Sequence, residues 1–280
     1  MRLLIIALLL FPLLLSAQMQ LGWRTDTYAG INSAILNPAL PGRTPYNWDV
    51  NLGEASFFLA NNYAYLENTS IPALLRLRDA DVEVYFRPDL PNDLPAGQET
   101  LVYDFSRNSS YYGEELVQIL GPSFSLQVAP QTRVGIFTRW QNMGNTRQLD
   151  EDLGYYQWNA IPSFQEFTLE ETNAAAAAWS EVGLNISQGI ETSSGTLLIG
   201  ANIRRLWGQR AVYFSNRKDF SLSKLPNATG LEGLDFEIEA GFTENLTDTD
   251  DYTDTPGRGW GVDLGMLYRI DLGGGFSRCD

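Results

Sequence analysis

The chain has 280 residues, with 34 Asp and Glu against 19 Lys and Arg, one Cys and no His, for a formal net charge of −15. The absence of His excludes Ser-His-Asp and Cys-His nucleophile activation and His-ligated metals. The lone Cys279 excludes an internal disulfide, and the acidic balance opposes nucleic-acid binding, which needs a basic face. Carboxylate-only hydrolysis stays open in principle, but no pair of carboxylates stands out among so many. No enzymatic activity and no cofactor are expected.

At the N-terminus, Arg2 precedes the apolar run Leu3–Leu15, which closes on the small residue Ala17. This is the pattern of a secretory signal peptide, residues 1–17. The run is shorter than the ~18 apolar residues of a membrane-spanning helix, and no Cys follows it to carry a lipid anchor. The mature chain would begin at Gln18 and hold 280 − 17 = 263 residues. Every later apolar stretch is broken by charge or Gly, so an exported chain of this kind is either soluble or a β-barrel.

The first strand lies in 47–66, where the alternation slips near Ala55–Phe57 and a bulge would restore it. Short helices are expected at 71–79, 110–120 and 169–179, the last including the filler run Ala174–Ala178. Weaker strands fall at 82–86, 100–105, 211–215 and 234–242. Two hairpins are clearer. In 123–141, Phe124, Leu126 and Val128 alternate with polar or small residues, a Pro-containing turn follows at 129–132, and Val134, Ile136 and Trp140 resume the apolar face. In 180–207, Val182, Leu184, Ile186 and Ile190 precede the turn ETSSGT, and Leu197, Ile199, Ala201, Ile203 and Trp207 follow it. The clearest strand is GWGVDLGMLYRI, 259–270: its even positions, Trp260 to Ile270, are all apolar, and its odd positions are Gly, charge and Leu267.

Short turns alternate with long polar connections such as the Pro-rich 87–98 and the acidic 244–259, as in a transmembrane barrel with short periplasmic turns and long outer loops. A soluble β-sandwich also alternates. Strands of about ten residues, Gly- and Ser-rich polar faces and long loops on one side only favour the barrel. The expected fold is therefore all-β, an antiparallel transmembrane β-barrel with short helices in its outer loops. Trp260 and Tyr268 then fall at its two aromatic girdles. Arg133, Arg139, Glu181, Asn185, Asn202, Arg204, Asp263 and Arg269 face the lumen, either as a pore lining or as a cross-strand polar network filling a narrow barrel. Arg205 faces lipid near Trp207, where it can snorkel to headgroups. Asp248, Asp250, Asp251 and Asp254 are candidate oxygen ligands for Ca²⁺, but their loop lacks the Gly and distal Glu of an EF-hand, and a solvated outer loop is the simpler reading.

Beyond the signal, Asn37-Pro38-Ala39 in TYAGINSAILNPALPG (27–42) resembles the N-terminal segment of long-chain fatty-acid-transporter-like outer-membrane barrels. NPALPG, WDVNLGEASFFLANNY, ILGPSFSLQV, AWSEVGLNIS and GWGVDLGMLYR, in that order, more closely resemble a family of Bacteroidota outer-membrane barrels carrying a domain of unknown function. The resemblance implies an N-terminal segment (18–47) at the periplasmic side or inside the lumen and a barrel over 48–280; it implies no activity. Six spanning strands are read, at 48–64, 121–129, 132–142, 180–190, 196–207 and 259–270, whereas closed bacterial barrels start at eight. The end also lacks the terminal aromatic residue that resembling proteins usually present. Either weaker strands complete a small barrel, or the reading frame is incomplete and the chain a C-terminally truncated member; the open edges otherwise left favour the second. Two functions follow: a passive transporter or channel for small apolar molecules, or a surface scaffold whose long loops dock a partner protein or surface polymer. The expected surroundings are outer-membrane lipid, with no nucleic-acid partner.

Overall fold

Strict alternation of apolar and polar residues builds a sheet with one apolar face, and the chain forms such a sheet. The computed structural model describes residues 21–67, 83–86, 100–104, 110–149, 166–169, 171–224, 231–234, 237–246 and 255–270. The signal peptide, the helix expected at 71–79 and the four aspartates of the acidic loop lie outside them. The strands in chain order are β1 (Trp48–Asn51), β2 (Glu54–Asn61), β3 (Ala64–Glu67), β4 (Glu83–Phe86), β5 (Thr100–Tyr103), β6 (Tyr111–Leu120), β7 (Ser123–Ala129) and β8 (Thr132–Leu149). They continue as β9 (Glu166–Leu169), β10 (Asn173–Thr192), β11 (Gly195–Asn216), β12 (Phe220–Lys224), β13 (Leu231–Leu234), β14 (Ile238–Phe242) and β15 (Gly257–Ile270).

Nine of these strands form one antiparallel sheet. They lie in six neighbouring rows: β1 with β2, β6 with β7, β8, β10, β11, and finally β15 with β14. Each row pairs with the next in chain order, the up-and-down meander of a barrel wall. Among the described residues the first and last rows pair on one side only. The six rows correspond to the six expected spanning strands, several of them longer than expected. Beyond this wall stand two three-stranded sheets, β3-β5-β4 and β13-β12-β9.

Two expected helices are strands. Of residues 110–120, all but the first form β6 (Tyr111–Leu120), paired with β2 and β8, and the alanine run of 169–179 lies in β10, paired with both β8 and β11. Helix propensity is a weak prior, and ladder hydrogen bonds on both sides of the alanine run override it. The slip expected near Ala55–Phe57 is a break at Leu52-Gly53 instead. It lies opposite Gly121-Pro122, where the neighbouring row also breaks, because Pro122 has no N–H to donate to a ladder. The break resets the alternation. Trp48, Val50 and Leu52 are exposed before it, Phe57 and Leu59 after it.

The N-terminal segment lies on the opposite, polar face. Two short 3-10 turns, Gly30–Ile35 and Leu40–Arg43, bury Ile31 and Ala34 against Phe137 of β8. Gly30 has φ +57°, and a Cβ there would strike the Asp49 carboxylate, so only Gly fits. Further along, the wall gives way to the segment through glycine. A Cβ at Gly200 would overlap the Pro38 carbonyl, and one at Gly265 would overlap the Asn37 side chain. Gly200→Val should therefore cost about 1–3 kcal/mol by overpacking. Urea unfolding of the refolded protein, with limited proteolysis after Arg24 and Arg43, should show lower stability and a more accessible segment.

Candidate functional site

Inward-facing positions of β8, β10, β11 and β15 come together in a chain of ion pairs. Register aligns Arg139 with Glu181, Asn185 with Asn202, and Asn202 with Asp263. Glu181 has no exposed side-chain surface. One carboxylate oxygen forms an ion pair with Arg139 Nη2 at 2.8 Å, and the other accepts a hydrogen bond from Arg204 Nη1 at 3.0 Å. Arg204 Nη2 reaches Asp263 at 2.7 Å. Asp263 also accepts from Asn202 Nδ2 (3.2 Å), and Asn185 Nδ2 donates to Asn202 Oδ1 (2.8 Å). Buried charges of this kind persist only when paired, and here four strands supply the partners.

The same network holds the N-terminal segment. Asn185 donates to the Pro38 carbonyl (3.0 Å) and Asn202 to the Ala34 carbonyl (2.9 Å). Asn37 accepts from the Ala39 N–H (2.9 Å) and donates to the Met266 carbonyl (3.2 Å). Towards the other edge, Asp49 accepts from the Ile31 N–H (2.8 Å), from Ser125 and from Arg133 (2.9 Å), while Arg133 also donates to the Tyr46 carbonyl. Arg24 binds Glu54 (2.8 Å) and Gln118 (3.1 Å), and Gln118 donates to Gln141 (2.9 Å).

Seven of the eight expected inward residues are thus joined to this interior: Arg133, Arg139, Glu181, Asn185, Asn202, Arg204 and Asp263. Arg269 shares their face but stands exposed at the turn-side end of β15, donating to Thr196 Oγ1 (3.1 Å). Arg24, Asp49, Glu54, Gln118 and Gln141 escape the sequence reading. Asp49 carries a signal of its own, a lone carboxylate between the outward residues Trp48 and Val50. Arg24 carries none, because no periodicity surrounds it. No group of His, Cys, Asp and Glu suited to a metal occurs among the described residues.

Beyond the network the same face turns apolar. Continuing β10 in steps of two from Glu181 leads to Ala177 and Ala175, and register sets these beside Met143, Ala211 and Tyr213. With Asn145, Gly241 and Thr243 they line an open cleft of about 550 Å³. The Tyr213 hydroxyl donates to Glu239 at 3.1 Å, a bond that raises the phenol pKa above its ordinary value.

The chain belongs to the family of unknown function DUF5723. The match covers residues 38–276, which include every row of the wall and the second 3-10 turn of the N-terminal segment. No curated protein and no solved structure matches the chain significantly.

Removing the central carboxylate tests the network directly. Glu181→Gln leaves Arg139 and Arg204 buried without their shared counter-charge and should cost about 3–5 kcal/mol. A denaturant midpoint equal to that of the unchanged protein would show that the pairs contribute nothing.

Proposed function

We propose that the protein is a non-enzymatic β-barrel of a bacterial outer membrane, exported by the signal peptide at 1–17, which passes small apolar molecules rather than ions. The observation that carries this reading is the division of the two faces. Outward positions 134–140 of β8, 182–190 of β10, 197–207 of β11 and 260–270 of β15 contain no Asp or Glu. Their apolar side chains stand open: Leu264 is 82% exposed and Trp260 70%. An apolar surface this continuous marks a membrane or partner contact in a chain of net charge −15, and the aromatic residues near the two ends of β15 match the girdles of a barrel. Tyr268 bonds the β10–β11 turn through Thr192 (3.0 Å) and Ser194 (2.7 Å), the end we assign to the periplasm.

The inward face supports an apolar cargo. The N-terminal segment and the ion pairs occupy the polar lower part of the wall, while the cleft at Ala175 and Ala177 offers apolar surface of ligand size. The resemblance of the Asn37-Pro38-Ala39 segment to fatty-acid-transporter-like barrels, and of the wider motif set to Bacteroidota outer-membrane proteins, points the same way by analogy only. A second reading, a docking scaffold, draws on β8, β10 and β11, which run on past the ion pairs, and on the two small sheets beyond them. Shaving intact cells with protease and losing a co-purifying partner would favour it.

Two measurements test the proposal. Reconstituted protein should show no ion conductance above the bare bilayer, yet bind an apolar fluorophore that Ala177→Trp excludes by filling the cleft. Steady conductance, or equal binding by the variant, would overturn the transport reading. For the membrane itself, Leu264→Arg should destabilise the folded protein in bilayers by about 2–4 kcal/mol. An unchanged stability would place that face in water.

A further inference from the structure

On β11 the inner Arg204 pairs with the carboxylates of Glu181 and Asp263, but two outer arginines of β11 and β15 pair with none among the described residues. Arg205 is the cross-strand partner of Trp260, and Trp207 that of Arg258. All four side chains therefore stand on the outward face, with Arg205 and Arg258 diagonal neighbours at a backbone separation of roughly 7–8 Å. The Arg205 guanidinium lies 5.1 Å from the centre of the Trp260 ring and 5.9 Å from that of Trp207. Among the described residues its side chain makes one hydrogen bond, from Nη1 to the Gly259 carbonyl at 3.4 Å. Arg258 is exposed and has no hydrogen bond or ion pair among the described residues.

The setting selects a ligand class. Immediately below these residues the outward face is apolar, with Ile203 53% and Val262 66% exposed. Tryptophan at such a boundary marks the headgroup level of a bilayer. A guanidinium held by cation–π contact with indole rings still has N–H donors to offer, and these match the oxygens of a phosphate. No outward position of β11 from 197 to 207 or of β15 from 258 to 270 is acidic, so among the described residues of these two strands no outward carboxylate competes for the two cations, although the whole chain carries −15.

We propose that Arg205 and Arg258, framed by Trp207 and Trp260, bind the phosphate of an anionic lipid headgroup at the edge of the apolar band. The inference rests on the membrane reading above and adds to it a fixed lipid site. Arg205 supplies a pre-oriented fork, held by two rings and one carbonyl, and Arg258 supplies a mobile second charge.

The full chain, folded into phosphatidylcholine vesicles, can be probed with spin-labelled phosphatidylglycerol and spin-labelled phosphatidylcholine by electron spin resonance. The unchanged protein should immobilise the anionic probe in preference to the zwitterionic one. Each guanidinium removed should lower that preference about fivefold, so that R205Q/R258Q shows none. Arg147→Gln, far from this rim, should leave it intact. Arg258→Gln alone removes an exposed, unpartnered side chain, keeps the fold and should already weaken the preference. Inserted protein without an anionic preference, or with a preference that R205Q/R258Q retains, would overturn the lipid site while leaving the membrane reading standing. Failure of the unchanged protein to insert at all, seen as extraction by urea, would overturn both.

Discussion

Glu181 sits with no exposed side-chain surface between two guanidiniums, and much of the interior is organised around that arrangement. A carboxylate this buried is tolerable only with full compensation, so Arg139 and Arg204 must reach it from the strands on either side. Arg204 then spends its remaining charge on Asp263, and Asp263 on Asn202. Through this sequence of obligations β8, β10, β11 and β15 are held in one register. A slip of a single residue would turn every one of these groups towards the apolar side.

The network also explains why the N-terminal segment lies where it does. Asn185 and Asn202 each retain donors after bonding to one another, and they give them to the Pro38 and Ala34 carbonyls. A 3-10 turn has backbone carbonyls to offer, and the glycines at 200 and 265 let the chain come close enough to offer them. The segment is thus bound mainly through backbone and small side chains, with Ile31 and Ala34 against Phe137 as its small apolar anchor. Polar filling on the inside and apolar exposure on the outside are two consequences of one alternating pattern.

That inversion also separates the arginines into two populations. Arg133, Arg139 and Arg204 on the inner face pair with carboxylates and hold the wall together. Arg205 on the outer face of β11, one residue away along the chain from Arg204, meets two indole rings instead. Arg204 and Arg205 are sequence neighbours with opposite roles, because successive side chains of a strand point to opposite faces.

Much of this was legible in the amino-acid order. The period-2 pattern of 123–141, 180–207 and 259–270 determined the strands, their faces and seven of the inward polar residues that the interior joins, since alternation assigns a face without knowledge of neighbours. Composition determined the absence of His-based chemistry. Pairing was a different matter. Residues 110–120 and the alanine run have helical or neutral propensity and became strands because ladders on both sides supply hydrogen bonds that a local pattern cannot foresee. Arg24, Glu54 and Gln118 come from separate segments, and their convergence on one site follows from the meander and from the path of the N-terminal segment across it. The sequence by itself decided which side each strand would show. Only the tertiary structure decided what each side would meet, because long-range partners are set by register and not by local order.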